Sequence, residues 1–64
     1  MKPRDAAIKD LKQAGYEFDR HGANHDLYKN KETGQKIPLK RHDFDENDRR
    51  YIQKEIRHNE RDRS

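Results

Sequence analysis

Apolar residues never stand more than three together in this 64-residue chain, so each segment's fold must be read from their spacing. Ala7, Ile8, Leu11 and Ala14 recur at three- and four-residue intervals, behind Pro3 and ahead of Gly15. That spacing predicts an amphipathic helix over residues 3–14. Pro3 suits its first turn, where a missing N–H costs nothing, and Gly15 can take the positive φ of a helix terminator. From Tyr16 the period changes to two. Tyr16, Phe18 and Arg20 alternate with Glu17, Asp19 and His21, the pattern of a half-buried strand that Gly22 ends.

Asp26-Leu27-Tyr28-Lys29 predicts a second strand after the Gly22-Ala23-Asn24-His25 bend, and Lys31-Glu32-Thr33-Gly34 a polar connection with glycine where φ turns positive. Ile37 and Leu39 share one face of a third strand. Pro38 between them cannot donate to a ladder, which assigns that strand to a sheet edge. Asp45 is a preferred N-cap, and Glu46 and Asp48 follow in the first turn of a closing helix, where the helix dipole favours carboxylates. Tyr51, Ile52 and Ile56 are that helix's buried stripe.

The elements follow one another as α-β-β-β-α: an α+β fold in which two helices cover one face of a three-stranded antiparallel sheet and leave the other open. One domain over residues 1–64 is expected. Its core draws on Ile8, Leu11, Tyr16, Phe18, Tyr28, Ile37, Leu39, Tyr51, Ile52 and Ile56. The segment from His58 to Ser64 holds no apolar residue and is expected to fray or remain disordered.

Charge narrows the class. Charged residues make up 45% of the chain and apolar ones 27%, against a usual charged share of about 25%. Without cysteine there is neither a disulfide framework nor a thiolate metal site, and the cytoplasm is the expected compartment. The short apolar runs exclude a membrane-spanning helix and a secretory signal. A net charge of +3 with a pI near 9.3 fits a polyanionic partner. Lys29, Lys31, Lys36, Lys40 and Arg41 make the middle basic, and Asp43, Asp45, Glu46 and Asp48 follow as an acidic cluster.

His25 is the candidate for chemistry, because an unperturbed imidazole exchanges a proton near neutral pH and Gly22 and Ala23 leave the bend open to a phosphate. His21 stands four residues away, as in a helical zinc site, but the strand pattern and Gly22 oppose a helix and no third ligand is evident. The acidic cluster is read as helix capping rather than as a cation site. Tyr16, Phe18 and Tyr28 are read as core rather than as a stacking platform for bases. No metal or small-molecule cofactor is expected.

Taken together, the helix ending in Ala14-Gly15-Tyr16-Glu17-Phe18, the Gly22-Ala23-Asn24-His25 bend with Tyr28, and Lys36-Ile37-Pro38-Leu39-Lys40-Arg41-His42 before a closing helix form an ordered set. Over residues 3–57 this resembles the HicA family of toxin-antitoxin mRNA interferases, small ribonucleases with a double-stranded-RNA-binding-domain-like fold. In that family a Gly-Ser-x-His or Gly-Ser-His element supplies the catalytic histidine, which falls here on His25. Ala23 stands where the family usually has serine, so that hydroxyl is absent.

The resemblance implies a toxin that acts as a metal-independent endoribonuclease on mRNA, held inactive by a HicB-like antitoxin. RNA carries its own nucleophile, the 2′-hydroxyl, so histidine and cations suffice for cleavage. Gly22, Asn24, Lys29, Lys36, Lys40, Arg41 and His42 are the expected RNA contacts. His21 and His42 are possible proton donors to the leaving group. A non-catalytic RNA-binding module of the same element order is the alternative, although its usual basic clamp at the start of the last helix is replaced here by the acidic cluster. An inactive homologue serving as a protein-interaction domain is another.

Overall fold

The first helix starts where Pro3 fixes φ and stops where the backbone turns left-handed. In a computed structural model, which describes residues 1–62, α1 spans Pro3–Gln13 and passes through Ala14 to Gly15 at φ +93°. The carbonyls of Asp10, Leu11 and Lys12 accept the N–H groups of Ala14 and Gly15, so the helix end is satisfied locally. Ala6, Ala7 and Leu11 are buried on its inner face.

The sheet is the antiparallel meander expected from the sequence: β1 (Tyr16–His21), β2 (His25–Asn30) and β3 (Lys36–Lys40), in that spatial order. Pro38 does lie in an edge strand, with Leu27 opposite it. Asn30 shapes the β2–β3 turn, its side-chain oxygen accepting from the N–H groups of Glu32 at 2.9 Å and Thr33 at 3.3 Å. Gly34 then adopts φ +77°.

Register departs from simple alternation at one place. Phe18 pairs with Tyr28 and Arg20 with Leu27, so Asp19 is an extra residue, a β-bulge in β1. The bulge inverts parity. Arg20 turns to the open face instead of sharing Phe18's, and His21 turns to the helix-covered face opposite Asp26. The helix-covered face therefore carries Tyr16, Phe18, His21, Asp26, Tyr28, Asn30, Ile37 and Leu39. Glu17, Arg20, His25, Leu27, Lys29, Lys36, Pro38 and Lys40 occupy the open one.

α2 runs from Glu46 to Asp62 and begins with a reciprocal cap. Asp48 N–H donates to Asp45 Oδ1 at 3.0 Å while Asp45 N–H donates to Asp48 Oδ2 at 2.9 Å, satisfying two donors at once. The helix extends past His58 through residues 58–62, and residues 63–64 of the expected tail lie outside the described residues. Asn59 Nδ2 donates to the Tyr16 hydroxyl at 2.9 Å, tying this last stretch to the core, and Arg61 complements the helix dipole. Nearer its start, Arg49 Nε donates to Asp10 Oδ2 at 3.0 Å and Gln53 Nε2 to the same oxygen at 3.3 Å, joining α2 to α1.

Ala7, Leu11, Tyr16, Tyr28, Ile37, Leu39, Ile52 and Ile56 form one buried cluster, with Ile8, Ala14 and Phe44 packed against it. Two expected core residues are not in it. Phe18 is 48% exposed and Tyr51 56% exposed. Phe18 lies on β1, an edge strand, with the exposed His21 ring at 4.8 Å and the edge of the Tyr28 ring beside it, and Tyr51 lies on α2 next to the inward-facing Ile52, on a different side of the helix.

A domain this small has about 3–10 kcal/mol of total stability at the usual value per residue. Leu39→Ala, at a fully buried site, is expected to cost about 2–5 kcal/mol and leave a large unfolded fraction at 25 °C. Far-ultraviolet circular dichroism against temperature measures this, and a wild-type melting point in the variant would contradict Leu39's place in the core.

Candidate functional site

The bend that carries His25 is closed from inside. Gly22 N–H donates to the His25 carbonyl at 2.6 Å. A Cβ at residue 22 would lie 2.9 Å from that same oxygen, a backbone atom with no room to yield, so close approach requires glycine there. Arg41, just past β3, reaches over the bend and donates from Nη2 to the carbonyls of Gly22, at 2.8 Å, and Ala23.

Arg41 also donates from Nη1 to Asp26 Oδ1 at 3.2 Å, and Asp26 is the hub of the region. It is 8% exposed. Arg4 of α1 donates from Nη2 to Asp26 Oδ2 at 2.8 Å and from Nε to the Lys40 carbonyl at 3.0 Å. His21, placed there by the bulge, lies with Nδ1 2.7 Å from Asp26 Oδ1. An ionised carboxylate can only accept, so Nδ1 carries the proton and Nε2 is left facing outward. The His21 hydrogen bond, with help from Arg4 and Arg41, holds the Asp26 carboxyl below the usual carboxylate range against the opposing effect of burial.

His25 sits on the other face. It is the first residue of β2, shares the open face with Leu27, and stands opposite Lys40. β2 pairs with β3 in unbroken register from His25 to Lys29, which keeps His25 on the face opposite Tyr28, and the spacing of four from His21 does not bring the two rings together. Its imidazole is exposed and has no hydrogen bond or ion pair among the described residues.

Around it the open face is cationic. Lys29 and Lys36 are exposed cross-strand partners, Arg20 is exposed beside Leu27, and Glu17 is drawn to Lys31 at 2.9 Å. Lys31 lowers the Glu17 pKa through that contact. Leu27 and Pro38 form an apolar strip between the charges.

The expected RNA contacts thus divide. Lys29 and Lys36 lie free on the same face as His25, while Asn24 and His42 are exposed in the adjoining loops. Lys40 is engaged: Nζ donates to the Asp43 carbonyl at 3.1 Å and lies 3.5 Å from Asp48 Oδ2. Arg41 and Gly22 serve the bend itself. Arg4 and Asp26 carry no local sequence signal, because the charge pattern of a strand does not say which charge is covered, and Tyr51 falls on the stripe of α2 expected in the core.

Among the described residues, no group of three or more histidine, aspartate or glutamate side chains is arranged to hold a metal ion. No described helix is long and apolar enough to cross a membrane. No protein-family model, curated protein or solved structure matches the chain.

Because the Asp26 pKa is depressed in the folded state, the stability it contributes is present above the unfolded value of about 3.9 and is lost as pH falls through the folded one. Asp26→Asn is expected to cost about 1–3 kcal/mol at pH 7, the usual worth of hydrogen bonds to a charged group. The gap between variant and wild type should shrink below about pH 4, where the wild type loses the same stabilisation. Urea denaturation across that range tests this, and a gap constant with pH would contradict the assignment.

Proposed function

We propose that the chain is a HicA-like toxin that binds RNA across the open sheet face and cleaves it with His25 as general acid/base. The observation that carries this reading is an exposed imidazole, free of any internal partner, on a face whose other charges are chiefly Arg20, Lys29 and Lys36. Single-stranded RNA suits such a face, because cations take the phosphates and the flat strip of Leu27 and Pro38 takes the apolar parts of ribose and base.

In this mechanism neutral His25 removes the proton from a 2′-hydroxyl as that oxygen attacks the adjacent phosphorus. The 5′-oxygen of the next nucleotide leaves and is protonated by water or by a second acid. Lys40, directly across from His25, is placed to offset the extra phosphate charge once RNA competes with Asp48 for its ammonium group. Arg41 contributes indirectly, by fixing the bend from which His25 emerges. A HicB-like antitoxin would cover the same face, and the cytoplasm is where both would meet mRNA.

A second reading has one observation of its own. His21 is the imidazole oriented by a carboxylate, with Nδ1 on Asp26 and Nε2 outward, the arrangement that prepares a general base. It would move the chemistry to the opposite face and to the other side of the bend.

Induced expression is expected to arrest growth and fragment RNA, with cleavage that persists in EDTA. His25→Ala should lower the cleavage rate about 10²–10⁴-fold while leaving the circular dichroism spectrum unchanged. If His21→Ala abolishes cleavage and His25→Ala does not, the second reading replaces the first. Binding without cleavage by the wild type would identify a non-catalytic RNA-binding module, and neither binding nor cleavage would leave a protein-interaction domain.

A further inference from the structure

Beside His25 the open face ends in a cleft of about 360 Å3 between β3 and α2, walled by His25, Pro38, Lys40, Phe44, Asp48 and Tyr51. Its volume lies at the lower end of the range that encloses small ligands. Tyr51 is there the exposed aromatic residue that packing does not explain, at 56% exposure. It is also held in place: its hydroxyl donates to Glu55 Oε1 at 3.0 Å, one turn further along α2, so less side-chain freedom remains to be lost on binding.

The charges around the cleft are polarised. On the sheet side lie His25 and Lys40, with Lys29 and Lys36 further along the same face. On the α2 side lie Asp45, Glu46 and Asp48; Asp48 is kept ionised by the Asp45 backbone N–H and by Lys40, which reaches it across the cleft at 3.5 Å, and Glu46 is paired with Arg49 at 3.4 Å, so the acidic character of this side rests on Asp45 and Asp48. A phosphate is attracted to the first side and repelled from the second. An uncharged aromatic base suffers no such repulsion and gains contact with Phe44 and Tyr51.

We propose that this cleft receives one unstacked base of a single-stranded RNA, with its ring against Tyr51 and its phosphates over the sheet beside His25. The proposal rests on the RNA-binding reading above and adds to it where one nucleotide is gripped. Tyr51 acts here as a positioning residue: it orients the nucleotide whose phosphate His25 attends and takes no part in proton transfer.

The test uses the full chain and a 2′-O-methyl hexaribonucleotide carrying a single 2-aminopurine, which cannot be cleaved and whose fluorescence is quenched by stacking. Wild type is expected to bind with quenching. Tyr51→Ala should bind about tenfold or more weakly and lose the quench, as expected for one base–aromatic stack, with an unchanged melting temperature because the side chain lies outside the core. Tyr51→Trp should restore both, while Lys29→Ala/Lys36→Ala should weaken binding yet keep the quench at saturation. Equal binding and quenching by wild type and Tyr51→Ala would overturn the cleft while leaving cleavage by His25 standing. No binding by the wild type would overturn both.

Discussion

Asp26 is the tie on which the rest of this small fold depends. Its carboxylate is shared by Arg4 from the first helix, His21 from the first strand and Arg41 from beyond the third, so one buried anion joins segments far apart in the chain. A buried carboxylate without partners would be costly, and two guanidinium groups with an imidazole supply donors to both of its oxygens. Arg4 and Arg41 also bond main-chain carbonyls at Lys40, Gly22 and Ala23. The same charges that stabilise the anion therefore set the path of the backbone at this end of the sheet.

This arrangement also segregates the molecule's electrostatics. Two arginines are withdrawn to the helix-covered side, Glu17 is paired with Lys31, and the acidic cluster caps α2. What remains on the open face is chiefly basic, with one exposed imidazole. A modest net charge of +3 thus becomes a one-sided field, and the location of charge rather than its total is what suits a polyanion. In the proposed ribonuclease, the sheet would supply the phosphate-facing surface and the start of α2 would limit how the strand can lie.

Much of the fold was legible because spacing is a local property. The stripe of Ala7, Leu11 and Ala14, the alternation at Tyr16–His21, Pro38 at an edge and Asp45 as a cap each follow from the geometry of one element. The bulge at Asp19 was not legible. A bulge depends on how two strands share hydrogen bonds, and alternation within one of them runs straight through it, so by sequence Arg20 shares the face of Phe18 while in the sheet it lies on the other. His25 could be singled out from the bend residues, but its isolation from other side chains could not. Arg41 and Lys40, expected to be phosphate ligands, were beyond reach for the opposite reason: their partners lie on other segments.

The sequence by itself determined the order of elements, the caps and turns, and which apolar residues could share a core, because these follow from dihedral preferences and periodicity within a few residues. Tertiary structure decided which charges are consumed and which stay free. It placed Asp26 among three donors, left Phe18 and Tyr51 at the surface, and joined Asn59 near the end of α2 to the Tyr16 hydroxyl. Each of those outcomes is a competition for partners between segments distant in the chain, and a charge or a ring carries no local mark of who its neighbour will be.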